Sequence, residues 1–246
     1  FNEGKLVTVW TGFSTKWYVS LFSNDGMIDA AWNSLRIGVM SATLALALGT
    51  PAGLVMSRFG RFKGRTLFSG MIAAPLVMPE VITGLSLLLL FVTLEQMVGW
   101  PAGRGISTIT IAHTTFCAAY VAVVVQSRLS GMDTSVEEAA MDLGAKPAKI
   151  FFVITLPMIL PALLAGWLLS FTLSLDDLVI ASFVAGPGST TLPMKVFSSV
   201  RLGVSPEINA LATLIILAVS AMILISSLLI LRSERNRSRA SSTEEA

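Results

Sequence analysis

Apolar residues in this chain fall in long continuous runs, and polar residues gather in the short stretches between them. Five runs, at about 31–56, 66–94, 107–127, 158–184 and 208–231, each approach the roughly 20 residues that a helix needs to cross the hydrocarbon core of a bilayer. The pattern predicts five membrane-spanning helices joined by polar connectors. Ahead of the first run, residues 1–30 mix polar groups with Trp10, Phe13, Trp17, Tyr18 and Phe22, as segments near a membrane interface do, with a short helix expected near 15–23.

The connector at 133–157 has a finer pattern. Thr134 with Glu137, and Ser135 with Glu138, have the spacing of a capping box, so a helix is expected to start here. Val136, Ala139, Ala140 and Leu143 then fall on one helical face while Glu137, Glu138 and Asp142 point elsewhere. Gly144 suits the left-handed residue that ends a helix, and Pro147 the first turn of the next. The product is a small helix-elbow-helix.

Composition then bounds the class. The 246 residues are 54% hydrophobic and 13% charged, with a mean hydropathy of +0.77, whereas soluble domains carry about 25% charged residues. This is the composition of an all-α integral membrane protein. The net charge of +2 comes from clusters, with no basic face for nucleic acid. Cys117 is the lone cysteine, and His113 is the only histidine, without a second ligand at i+3 or i+4, so no metal site is expected and His113 reads as a hydrogen-bonding helix residue. No Ser/His/Asp or Cys/His constellation stands on polar ground, and the glycine turn at 60–66 lacks the spacing and the lysine of a phosphate-binding loop. The chain is therefore not expected to be an enzyme or to hydrolyse ATP itself.

Charge placement orients the helices. Arg58, Arg61, Lys63, Arg65, Arg128, Lys146, Lys149, Arg232, Arg235, Arg237 and Arg239 would lie on one side, against Lys5, Lys16, Arg104, Lys195 and Arg201 on the other. The positive-inside rule puts the elbow and the polar tail at 232–246 in the cytoplasm. Five alternating spans then place Phe1 outside, and a sixth helix is expected before it.

Two spans contain unexpected polar groups. Pro75 and Pro79 invite a kink in the second, beside Glu80. The fourth includes Ser170, Ser174, Asp176 and Asp177. Acids at membrane depth cost about 2.5–3.5 kcal/mol on insertion scales, so they face protein or water. Three acids with no basic residue beside them suggest a path for a cation, with Glu80, Asp176 and Asp177 as candidate lining residues; anchoring of the fold near the helix breaks is the alternative. Trp167, Phe171 and Phe183 read as packing residues.

Glu138-Ala139-Ala140, Gly144, and Ile154 with Leu156-Pro157 resemble the EAA loop of ABC-importer permeases. Together with 74–91, 170–184 and 186–214, the chain is similar to the polyamine (putrescine/spermidine) branch of that family, most of all to the second permease of a putrescine importer. The resemblance implies a type I permease helix bundle whose loop residues Glu138, Ala139, Ala140, Gly144, Ile154, Leu156 and Pro157 couple to an ATPase. It also implies a first helix before Phe1, a second homologous permease, two ATPase copies with their ATP and magnesium, a periplasmic polyamine-binding protein, a bacterial inner-membrane location, and no cofactor on this chain. A permease for another solute, a channel or an ion-coupled transporter are the competing readings.

Overall fold

The computed structural model describes residues 1–4, 9–203, 206–217 and 220. It is helical: α1 Lys16–Phe22, α2 Asp25–Arg58, α3 Arg65–Val77, α4 Glu80–Val98, α5 Ile106–Ser130, α6 Ser135–Asp142, α7 Pro147–Ile150, a π-helical turn Phe151–Thr155, α8 Leu156–Asp176, α9 Val179–Val184, α10 Leu192–Leu202 and α11 Pro206–Leu217. Among the described residues no strand forms beyond an isolated bridge between Asn2 and Phe13. Among the described residues four helices are long and apolar enough to cross a membrane: Asp25–Arg58, Glu80–Val98, Ile106–Ser130 and Pro147–Asp176.

The expected spans at 31–56 and 107–127 correspond to α2 and α5. The other two run differently. The run at 66–94 is interrupted at Met78–Pro79, where the missing proline N–H and an extended Met78 end α3 and start α4. The run at 158–184 ends as a helix at Asp176; Asp177 is extended and α9 starts anew. The expected fifth span, 208–231, is described only as far as α11, and the tail at 232–246 lies outside the described residues.

The chain divides into two compact units, Gly26–Lys195 and Phe1–Asp25 with Val196–Ala246. In the first, α5 is the central post. It packs against α8, α3 and α9, and α9 packs in turn on α4. Small residues let α2 approach α5: a Cβ on Gly49 would stand 2.7 Å from the carbonyl oxygen of Ala118, and one on Gly53 2.6 Å from that of Ala122. This is the small-xxx-small spacing by which helix backbones come together in lipid, where burial of apolar area drives no association. Ser41 adds a bond to the Thr110 carbonyl at 3.2 Å. One apolar core joins Ile37, Phe91, Ile109, Ile180 and Val184; a second joins Ala45, Cys117, Val121, Val125, Ile159 and Leu163. Outward-facing Leu44, Leu48, Leu85, Leu89, Leu164 and Leu168 stay exposed, as lipid-facing residues do.

The connectors sort to two ends. At one, Arg58 at the end of α2 meets Glu137 of α6 at 3.1 Å, and Arg65 donates to the Met56 carbonyl at 2.9 Å. At the other, the Arg104 guanidinium donates to the Phe183 carbonyl at 3.3 Å, and Thr108 to that of Val184 at 2.7 Å. The basic loop at 57–65 and the elbow thus share an end, as the charge pattern predicts.

In the second unit, Trp17 donates its indole N–H to the Asn2 carbonyl at 2.7 Å, and Glu207 of α11 accepts from Ser20 and, at 3.3 Å, from Asn24. Phe1 and Phe13 stack at 5.2 Å.

Candidate functional site: an acid-lined cavity and a polar elbow

Both helix breaks open onto one cavity of about 300 Å³. Its wall takes Pro75, Leu76 and Met78 from the first break, Glu80 and Thr83 from α4, Phe116 and Tyr120 from α5, and Leu173 and residues 176–180 from the second break. Non-helical backbone at membrane depth is tolerated where protein or water surrounds it, which is the situation here. The three acids singled out from the sequence, Glu80, Asp176 and Asp177, all stand on this wall, although about a hundred residues separate Glu80 from the pair. Among the described residues no basic side chain lines it.

The acids are not equivalent. Glu80, in the first turn of α4, and Asp176, the last residue of α8, are exposed, and among the described residues neither receives a hydrogen bond or ion pair. Asp177 is enclosed, with its side chain 5% exposed. Its carboxylate accepts from the backbone N–H groups of Ile180 at 3.3 Å and Ala181 at 2.7 Å, capping α9. Nε2 of His113 lies 3.0 Å from the same carboxylate, and Nδ1 lies 2.6 Å from Oγ of Ser174. His113 is therefore the helix hydrogen-bonder expected of it. Its partners were not legible, since Ser174 and Asp177 lie more than sixty positions away.

A Ser/His/Asp chain does exist, but buried between helices and not on the polar ground where none was expected. It is not a nucleophile's triad: Ser174 and His113 are buried and absent from the cavity wall. Among the described residues no group of three metal-binding side chains occurs. Trp167 and Phe171 stack on each other at 5.3 Å, and Phe183 packs on Gly84, where α4 and α9 come close.

The elbow forms where expected, with a different cap. α6 begins at Ser135, but Thr134 donates its hydroxyl to the Glu138 carboxylate at 2.7 Å instead of accepting from the backbone. Asp133 takes the capping role, accepting from the Ser135 N–H at 3.0 Å and the Ser135 hydroxyl at 2.8 Å. Glu137 turns away to bind Arg58 and to accept from the Thr155 hydroxyl at 2.9 Å, because a charged pair outweighs a neutral cap. Gly144 is left-handed, with φ of 80°, and Pro147 opens α7. Ile154 lies in the π-helical turn, and Leu156 and Pro157 begin α8. The stripe of α6 faces outward: Val136 is exposed and Leu143 is 89% exposed.

Residues 49–239 match the family described as binding-protein-dependent transport system inner membrane component. The chain is 64% identical over 239 residues to the putrescine transport system permease protein PotI of Escherichia coli (strain K12), covering 97% of this chain and 85% of that one. It is 44% identical over 233 residues to the spermidine/putrescine transport system permease protein PotC of the same strain, covering 94% and 85%. In fold it is similar to the MetNI methionine ABC transporter in an inward facing conformation, with a TM-score of 0.66 at 18% identity over 90% of this chain and 99% of the other. A bacterial ABC transporter that imports alginate gives 0.62 at 20% identity, over 86% and 72%. The chain has the all-helical fold of the ABC-importer permeases and belongs to the family of inner-membrane components of binding-protein-dependent transport systems.

Proposed function

We propose that this permease subunit carries putrescine into the cytoplasm, with spermidine as the alternative polyamine, by alternating access driven by ATP. The observation that carries the cargo assignment is the gathering of Glu80, Asp176 and Asp177 on one cavity with two aromatic rings and, among the described residues, no basic group. A diammonium chain is attracted to carboxylates and to ring faces. The putrescine permease and the spermidine/putrescine permease named above support the same cargo.

The elbow is the contact with the ATPase. Its exposed apolar face on α6 is the kind of patch that a partner covers, and Glu138, Ala139, Ala140, Gly144, Ile154, Leu156 and Pro157 form the joint. The complete importer holds a second homologous permease, two ATPase copies that bind ATP and magnesium, and a periplasmic polyamine-binding protein. The elbow and the C-terminal tail face the cytoplasm, as the basic residues near them direct.

The test is putrescine-stimulated ATP hydrolysis by the complex reconstituted with its partner permease, ATPase and binding protein. Glu138→Ala and Gly144→Asp, the latter forcing a side chain onto a left-handed position, are expected to lose stimulated hydrolysis and uptake together. Full coupling in both variants would overturn the elbow's role, and a wild-type complex indifferent to putrescine would overturn the cargo.

A further inference from the structure

We infer that His113 and Ser174 are positioning residues that act through Asp177, and that the carboxylates meeting the cargo are Asp176 and Glu80. This rests on the reading of the cavity as the cargo's path. Asp177 lines that cavity, yet three of the roughly four acceptor sites of its carboxylate are occupied, by the N–H groups of Ile180 and Ala181 and by Nε2 of His113. A carboxylate only accepts hydrogen bonds, so Nε2 must carry the proton facing it. In the neutral ring Nδ1 then accepts from the Ser174 hydroxyl, 2.6 Å away.

The chain Ser174–His113–Asp177 therefore runs from α8, through α5, to the cap of α9. It crosses the gap where α8 stops, and fastens the start of α9 to the central post. His113 is fully buried, and its ring packs edge-on against Phe116, which does line the cavity. Releasing His113 leaves a buried carboxylate and a buried hydroxyl short of partners, and frees the cavity wall to shift. Asp176 and Glu80, exposed and without partners among the described residues, keep their charge for an ammonium.

Two readouts separate positioning from cargo contact. In the complete reconstituted importer, uptake of radiolabelled putrescine and of spermidine is measured at saturating binding protein. Asp176→Asn and Glu80→Gln are expected to change the ratio of the two cargoes. His113→Leu and Asp177→Asn are expected to lower both by the same factor, about tenfold. His113→Gln, whose amide can donate through its NH2 group and accept through its carbonyl oxygen, is expected to recover most of the uptake. An altered cargo ratio in Asp177→Asn matching that of Asp176→Asn, or a His113→Gln complex that assembles but transports no better than His113→Leu, would overturn the inference.

The second readout needs no cargo. Hydrogen exchange at the Ile180 and Ala181 amides is expected to quicken in His113→Leu and to stay unchanged in Asp176→Asn. Unchanged exchange in His113→Leu would refute the positioning role even if the cargo proved not to be a polyamine.

Discussion

Glu137 and Glu138 are neighbours with separate tasks. Glu138 stays at the exposed surface of α6, bonded to Thr134, while Glu137 joins α6 to α2 through Arg58 and to the turn before α8 through Thr155. Glu137→Ala leaves a half-buried guanidinium without its counter-charge, at a cost on the order of 2 kcal/mol. Thermal unfolding of the purified subunit should show this loss, and the exchanged pair Arg58→Glu with Glu137→Arg should regain part of it. The Asp133 cap is sensitive to acid. The N–H and hydroxyl of Ser135 hold its carboxyl below the ordinary carboxylate range. Its contribution is thus fully present above that range and is lost as pH falls through the lowered value. Faster exchange of the Ser135 amide on acidification, absent in Asp133→Asn, is the expected sign. The capping-box spacing at Thr134 and Ser135, with Gly144 and Pro147, was enough to locate this joint, although the cap itself fell to Asp133. The redirection of Glu137 was not legible, because Arg58 is 79 positions away.

Elements were legible where length alone decides. Runs of apolar residues longer than a bilayer's thickness announce α2 and α5 whatever their packing. Interruptions inside a run are harder to see: Pro79 marks one, but the second falls at Asp177–Leu178 with no proline or glycine, and the apolar residues of α9 carry the pattern straight past it. The spacing of Gly49 and Gly53 took on meaning only in the structure, which shows that they face α5 at close range. Gly53→Leu would drive a side chain into the α5 backbone and is expected to cost well over the 1–3 kcal/mol typical of overpacking, about enough to abolish folded protein in the membrane. Gly70→Ala, in α3 with open space around it, should leave yield and melting temperature unchanged. Equal yields for the two variants would refute the close approach of α2 and α5.

At the scale of the molecule, two levels of one bundle hold different chemistry. Within Gly26–Lys195, the basic loop at 57–65 and the elbow meet at one end through Arg58 and Glu137, and a cavity walled by acids opens farther along the bundle, where two helices break. The sequence identified the three acids and gave a reason for them, since charge at membrane depth is too costly to be incidental. It could not distinguish their roles, because the difference lies in who reaches them: Asp177 receives His113 from 64 positions away and the two amides of the α9 turn that follows it, whereas Asp176, its neighbour, receives none among the described residues. The central claim is that the free carboxylates line the path of a polyamine. Its most direct test is putrescine uptake by the reconstituted importer carrying Glu80→Gln together with Asp176→Asn, with hydrogen exchange at Ala181 as the control for an intact cavity wall. Uptake is expected to fall by about tenfold or more with exchange unchanged, from the loss of two charge contacts of about 1 kcal/mol each. Wild-type uptake in that variant would contradict it.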